Sequence, residues 1–179
     1  MKVSIPVWQM GGFIFTGILG TFLHFFFDLT GGSLWAGLFS AVNESIWEHL
    51  KLLFYPMVAF ALVEYCHWGK NAASFWCIKL AGILFGLVFI PVAYYTYTGL
   101  LGVKADWVNI TIFFLAAGLV YWMEAKLFQR EFTCRMPAQA AIAAICLIAA
   151  VFTGFTFWTP RIPFFEDPLT GTYGFWRKR

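Results

Sequence analysis

Two carboxylates, an imidazole and an ammonium fall within Asn43-Glu44-Ser45-Ile46-Trp47-Glu48-His49-Leu50-Lys51, which opens onto a run that stays almost purely apolar to Val63. Charge at the edge of such a run is costly unless it is used. Upstream, His24 and Asp28 are spaced i and i+4, so on a helix they lie one above the other on a single face. Glu44 and Glu48 share that spacing, with Lys51 three residues further on. Carboxylates stacked this way repel by about 0.2–0.5 kcal/mol even in water, so a proton or a cation is expected between them. Lys51 is one candidate cation. A divalent metal held by His24, Asp28, Glu48 and His49 is another, since imidazole with carboxylate suits zinc and its neighbours in the first transition row. Glu48 and His49 are adjacent and point about 100° apart on a helix, so both serve one site only if it lies between helices.

The same residues also read as a helix start. Ser45-x-x-Glu48 fits the capping box, and Asn43 and Glu44 are favourable near the positive end of the helix dipole. On that view Glu48 and Lys51 are simply paired. Capping leaves unexplained why His24, Asp28, His49 and a second acid gather at one depth. The candidate ligand-binding set is therefore His24, Asp28, Asn43, Glu44, Glu48, His49 and Lys51. Asp167 joins it from the carboxyl-terminal segment, where Glu166 and Asp167 stand between prolines and are followed by two glycines. Such a segment is stiff and turned, and it is expected to pack over the first loop, with Arg161 pairing with an acid there.

The elements that must position these groups are membrane helices. The chain of 179 residues is 61% hydrophobic, 21% aromatic and only 12% charged, against roughly 25% charged in soluble domains. Five apolar stretches, at about 7–27, 46–64, 75–97, 107–128 and 138–158, each approach the roughly 20 residues needed to cross a hydrocarbon layer of about 30 Å. The first lacks a small-residue cleavage pattern before Asp28 and is expected to be a permanent span. Trp and Tyr recur near the ends of the runs, at headgroup level. The fold class is thus an all-α membrane protein: one domain over 1–179, a bundle of five transmembrane helices. The glycine-rich apolar loop Gly31 to Phe39 is interfacial or re-entrant, and the carboxyl-terminal segment is ordered.

Lys2, Lys70, Lys79, Lys126, Arg130 and Arg135 fall on the amino-terminal side, and Lys51, Lys104, Arg161 and Arg177-Lys178-Arg179 on the other. Discounting the terminal run, which lies far beyond the last span, favours a cytoplasmic amino terminus and a site that opens to the non-cytoplasmic face. Glu64 and Glu124 read as boundary residues, and Lys79, about a turn inside its span, as a side chain that snorkels. Pro56 and Pro91 can kink their spans, and Tyr94, Tyr95 and Tyr97 carry phenols to the side of the acidic cluster. Cys66, Cys77, Cys134 and Cys146 contain no C-x-x-C pair, which argues against a disulfide scaffold or a thiol redox enzyme. The net charge of +3 is too small and dispersed for nucleic acid. Dinucleotide, P-loop and nucleophile-elbow patterns are absent.

The signature from Asn43 to Lys51, with His24 and Asp28 before it and Asp167-Pro168-Leu169-Thr170-Gly171-Thr172-Tyr173-Gly174 after it, resembles an uncharacterised family of small bacterial integral membrane proteins. The resemblance implies a bacterial inner membrane and transfers no catalytic residue. The residues themselves point first to a protein that binds, and transports or senses, a small cationic or polar ligand. The alternatives are a metal-dependent membrane enzyme acting on a lipid or other hydrophobic substrate, with water activated by the metal, and a structural or accessory subunit. The expected partners are the lipid bilayer and that ligand, and the pattern is compatible with a homo-oligomer.

Overall fold

The computed structural model describes residues 4–175, and Lys2 and Arg177, Lys178 and Arg179 of the basic-residue count lie outside them. Five helices are long and apolar enough to cross a membrane: α1 (Ile5–Leu29), α3 (Ile46–His67), α4 (Phe75–Leu101), α5 (Asp106–Gln129) and α6 (Ala138–Phe157). A short sixth helix, α2 (Leu34–Phe39), lies in the first loop. It turns Ala36 and Gly37 inward and leaves Leu34 and Trp35 exposed, as an interfacial element does. Helices α3 and α4 run on through Pro56 and Pro91 without a break.

Lipid exerts no hydrophobic force between helices, so close approach of backbones and polar bonds must hold the bundle together. Helix α1 supplies a buried stripe of small residues, Gly12, Thr16 and Gly20, one turn apart. At Gly20 a Cβ would stand 2.6 Å from the carbonyl oxygen of Leu52, so α1 and α3 cross there at a distance only glycine allows. The Thr16 and Tyr121 hydroxyls share a hydrogen bond of 2.7 Å that ties α1 to α5. Helix α3 is the centre, with Leu53, Phe54, Met57 and Ala61 packed among Ile83 of α4 and Ala116, Ala117 and Val120 of α5. Helix α6 is more peripheral, and α4 borders it.

Cys77, near the start of α4, is disulfide-bonded to Cys134 in the loop before α6, with Cα atoms 6.4 Å apart. The cysteine spacing argued against a disulfide scaffold, and this bond departs from that reading. Spacing along the chain carried no sign of a pair 57 residues apart, because the bond depends on α4 and the α5–α6 loop meeting at the amino-terminal face.

The tail folds back as expected. The Phe175 N–H donates to the Thr156 carbonyl, and the Asn43 amide donates to the Gly174 carbonyl. The Phe175 ring meets Phe27 at the end of α1, and Phe165 packs on Trp47. Arg161 is exposed and forms no ion pair among the described residues.

Candidate functional site

Helix α3 starts directly after the extended residue Ser45, whose hydroxyl accepts the Glu48 N–H at 3.3 Å. That is one half of the capping box. The other half is replaced, since the Ser45 N–H donates to Asn43 Oδ1 and not to Glu48. The Glu48 side chain turns into the bundle. Its carboxylate accepts the Thr156 hydroxyl at 2.8 Å and the Val42 N–H at 3.1 Å, and pairs with Lys51 at 2.5 Å. Lys51, with no exposed surface, donates also to the Gly37 carbonyl and to Thr156 Oγ1. All three ammonium donors are thereby used, and α2, α3 and α6 are joined around a neutral, satisfied pair.

His49 points the other way, toward the end of α1. Its Nδ1–H donates to the Ser45 carbonyl at 2.8 Å, and its Nε2 stands 3.3 Å from Glu44 Oε2. The His24 and His49 rings lie 5.2 Å apart, and His24 Nδ1 is buried without a hydrogen-bond partner. One ligating atom from each of His24, Glu44 and His49 falls within 4.8 Å of the others. The approach of the His49 ring holds the half-exposed Glu44 carboxyl below its usual range, against the opposing effect of burial.

Of the metal set expected from the sequence, then, only His24 and His49 are brought together, and Glu44 stands where Glu48 was expected. Glu48 is adjacent to His49 and points away from it, as helical geometry requires. Asp28 lies one turn beyond His24 and is exposed. Asn43 supports the turn before α3 and the tail. Asp167 is buried but faces its own turn, accepting the Leu169 N–H and the Thr170 hydroxyl. Tyr97 bonds Asn109 rather than any member of the cluster.

A second polar group, at the amino-terminal end of the bundle, escaped the sequence analysis. Glu64, Lys79 and Glu124 are fully buried and ion-paired, so they are neither boundary residues nor a snorkelling lysine. The available signal was depth: Gln9, Glu64, Lys79 and Glu124 all stand three to five residues from the same-side ends of their helices.

Residues 2–175 match the model of a family described as of unknown function, DUF6512. No curated protein and no solved structure matches the chain.

Proposed function

The chain belongs to the DUF6512 family of unknown function, so its role rests on its own residues, and we propose that it binds a divalent transition-metal cation through His24, Glu44 and His49. The observation that carries this is the 3.3 Å approach of His49 Nε2 to the Glu44 carboxylate. The single proton of a neutral imidazole is committed to the Ser45 carbonyl through Nδ1, which leaves Nε2 with its lone pair facing an anion. A second proton or a shared cation must lie between them. Ligands of a tetrahedral zinc ion at about 2.0–2.1 Å stand about 3.3 Å from one another, the separation found here. The Ser45 carbonyl on Nδ1 is the usual outer support of a metal-binding histidine, and His24 Nδ1 is a buried nitrogen in need of a partner.

The donor set, imidazole with carboxylate, suits zinc and its first-row neighbours better than calcium or magnesium. Binding of a small cation at a membrane mouth supports a role in moving or sensing that cation. The resemblance in the Asn43 to Lys51 signature supports a bacterial inner membrane as its address. Disulfides persist in oxidising compartments, so the Cys77–Cys134 bond supports an amino-terminal face outside the cytoplasm and a metal site on the cytoplasmic side, the reverse of what the basic residues favour. A second reading has its own support: two histidines and a glutamate leave a fourth position open, as in catalytic rather than structural zinc sites, and a lipid carbonyl or phosphate could reach it there.

The deciding experiment is metal analysis of the detergent-purified protein after equilibration with zinc, beside His24→Ala, His49→Ala and Glu48→Gln. Near-stoichiometric zinc that the two histidine variants lose and Glu48→Gln keeps is the expected result. Equal zinc in all four samples overturns the assignment.

A further inference from the structure

The two buried ion clusters differ in their charge balance. Glu48 and Lys51 are one acid and one base with every ammonium donor used. At the other end of α3, Lys79 alone bridges Glu64 and Glu124, two acids to one base. Gln9, Glu64, Lys79 and Glu124 are each 3% exposed or less. The Lys79 ammonium is ringed by Phe75, Tyr121 and Phe128, with centroids 5.6–5.7 Å away, so no water shell spreads the excess negative charge. Gln9 Nε2 donates to Glu64 Oε1 at 2.7 Å, whereas Glu124 has Lys79 as its sole partner and its Oε1 has none.

A buried carboxylate without a counter-charge takes up a proton instead of staying ionised. A bound cation would need about four ligands if zinc and about six oxygens if calcium or magnesium, yet the ammonium already fills the space between the carboxylates, and the oxygens with neither a hydrogen bond nor the ammonium beside them among the described residues are Gln9 Oε1 and Glu124 Oε1. A proton needs one. We propose that Gln9, Glu64, Lys79 and Glu124 form a proton-binding site in which Glu124 carries the proton at neutral pH while Glu64 and Lys79 remain charged. The groups around Glu124 are Glu64 of α3, Lys79 of α4 and Tyr121 on its own helix, and Gln9 and Thr16 of α1 join the cluster through Glu64 and Tyr121. The site lies roughly one helical turn, about 6 Å, inside the amino-terminal face. It is separate from the metal site, since the two stand at opposite ends of α1 and α3.

Infrared spectroscopy of the detergent-purified protein at neutral pH tests this. The wild type is expected to show a protonated-carboxyl stretch that shifts in heavy water. Glu124→Gln removes it, and so does Glu64→Gln, because the remaining acid then pairs one to one with Lys79. Lys79→Met about doubles it, since both acids then need a proton. Asp28→Asn, on an exposed acid, leaves it unchanged. A wild type without the stretch, or a stretch that survives undiminished in both glutamine variants, overturns the proposal. The two variants are independent, so failure of one to fold leaves the other to decide.

Discussion

Adjacent residues Glu48 and His49 face opposite environments: the Glu48 carboxylate lies inside the bundle against Lys51 and Thr156, and the His49 imidazole lies at its mouth against Glu44 and His24. A single residue step, about 100° around α3, thus separates an acid inside the bundle from an imidazole at its mouth. The signature around them caps α3 through Ser45, and on the proposed reading it binds a cation through Glu44 and His49.

That division predicts opposite phenotypes for the two acids. Glu44→Gln should weaken zinc binding at least tenfold, the scale seen when even a supporting partner of a metal ligand is lost, and should change stability by less than about 0.5 kcal/mol. Isothermal titration with zinc and thermal unfolding in detergent read the two quantities separately.

Glu48→Gln should leave zinc binding intact and destabilise the fold by about 3–5 kcal/mol, because it strands a buried ammonium. Replacing both partners, Glu48→Met with Lys51→Met, should recover much of the loss, since a buried pair exchanged for apolar side chains is often close to neutral. Thermal unfolding of the single and double variants gives the comparison.

Thr156 relays between the pair and α6, accepting from Lys51 and donating to Glu48. Thr156→Val keeps the shape and removes both bonds. It should cost about 1–3 kcal/mol, and proteolysis should show loosening of the tail that bonds the Thr156 carbonyl through Phe175.

Gly20→Ala should cost about 1–3 kcal/mol, as an overpacked contact does, because its Cβ would meet the Leu52 carbonyl oxygen at 2.6 Å and α1 would have to move. A melting temperature equal to the wild type would show that α1 and α3 do not cross there.

The orientation proposed from the disulfide can be tested directly. In whole cells, and in a background where the exposed free Cys66 and Cys146 are replaced by serine, an impermeant maleimide should label Lys70→Cys, on the amino-terminal face, and should label Lys104→Cys, on the α4–α5 loop, only after lysis. The opposite pattern would place the Cys77–Cys134 bond in the cytoplasm and restore the orientation that the basic residues favour.

Class and span number were legible because lipid imposes a one-dimensional rule: a helix that satisfies its own backbone must present about 20 apolar residues in a row. The start of α3 was equally legible, since capping is local, and Ser45 and Glu48 meet within three residues. The membership of the site was only half so. His24, Glu44 and His49 could be nominated from their depth, but which acid of Glu44 and Glu48 faces the histidines depends on the rotation of α3 against α1 and α6. Packing of Phe54, Met57 and Ala61 fixes that rotation. Pairings among Gln9, Glu64, Lys79 and Glu124, and between Cys77 and Cys134, join residues from 15 to 57 positions apart. No local pattern reports such pairs, because the apolar runs between them are interchangeable in sequence terms. The sequence by itself determined that this chain lives in a membrane and where its polar groups lie along each helix. The tertiary structure decided which of them touch, because in a bundle that chooses its neighbours by shape, charge partners follow from the packing.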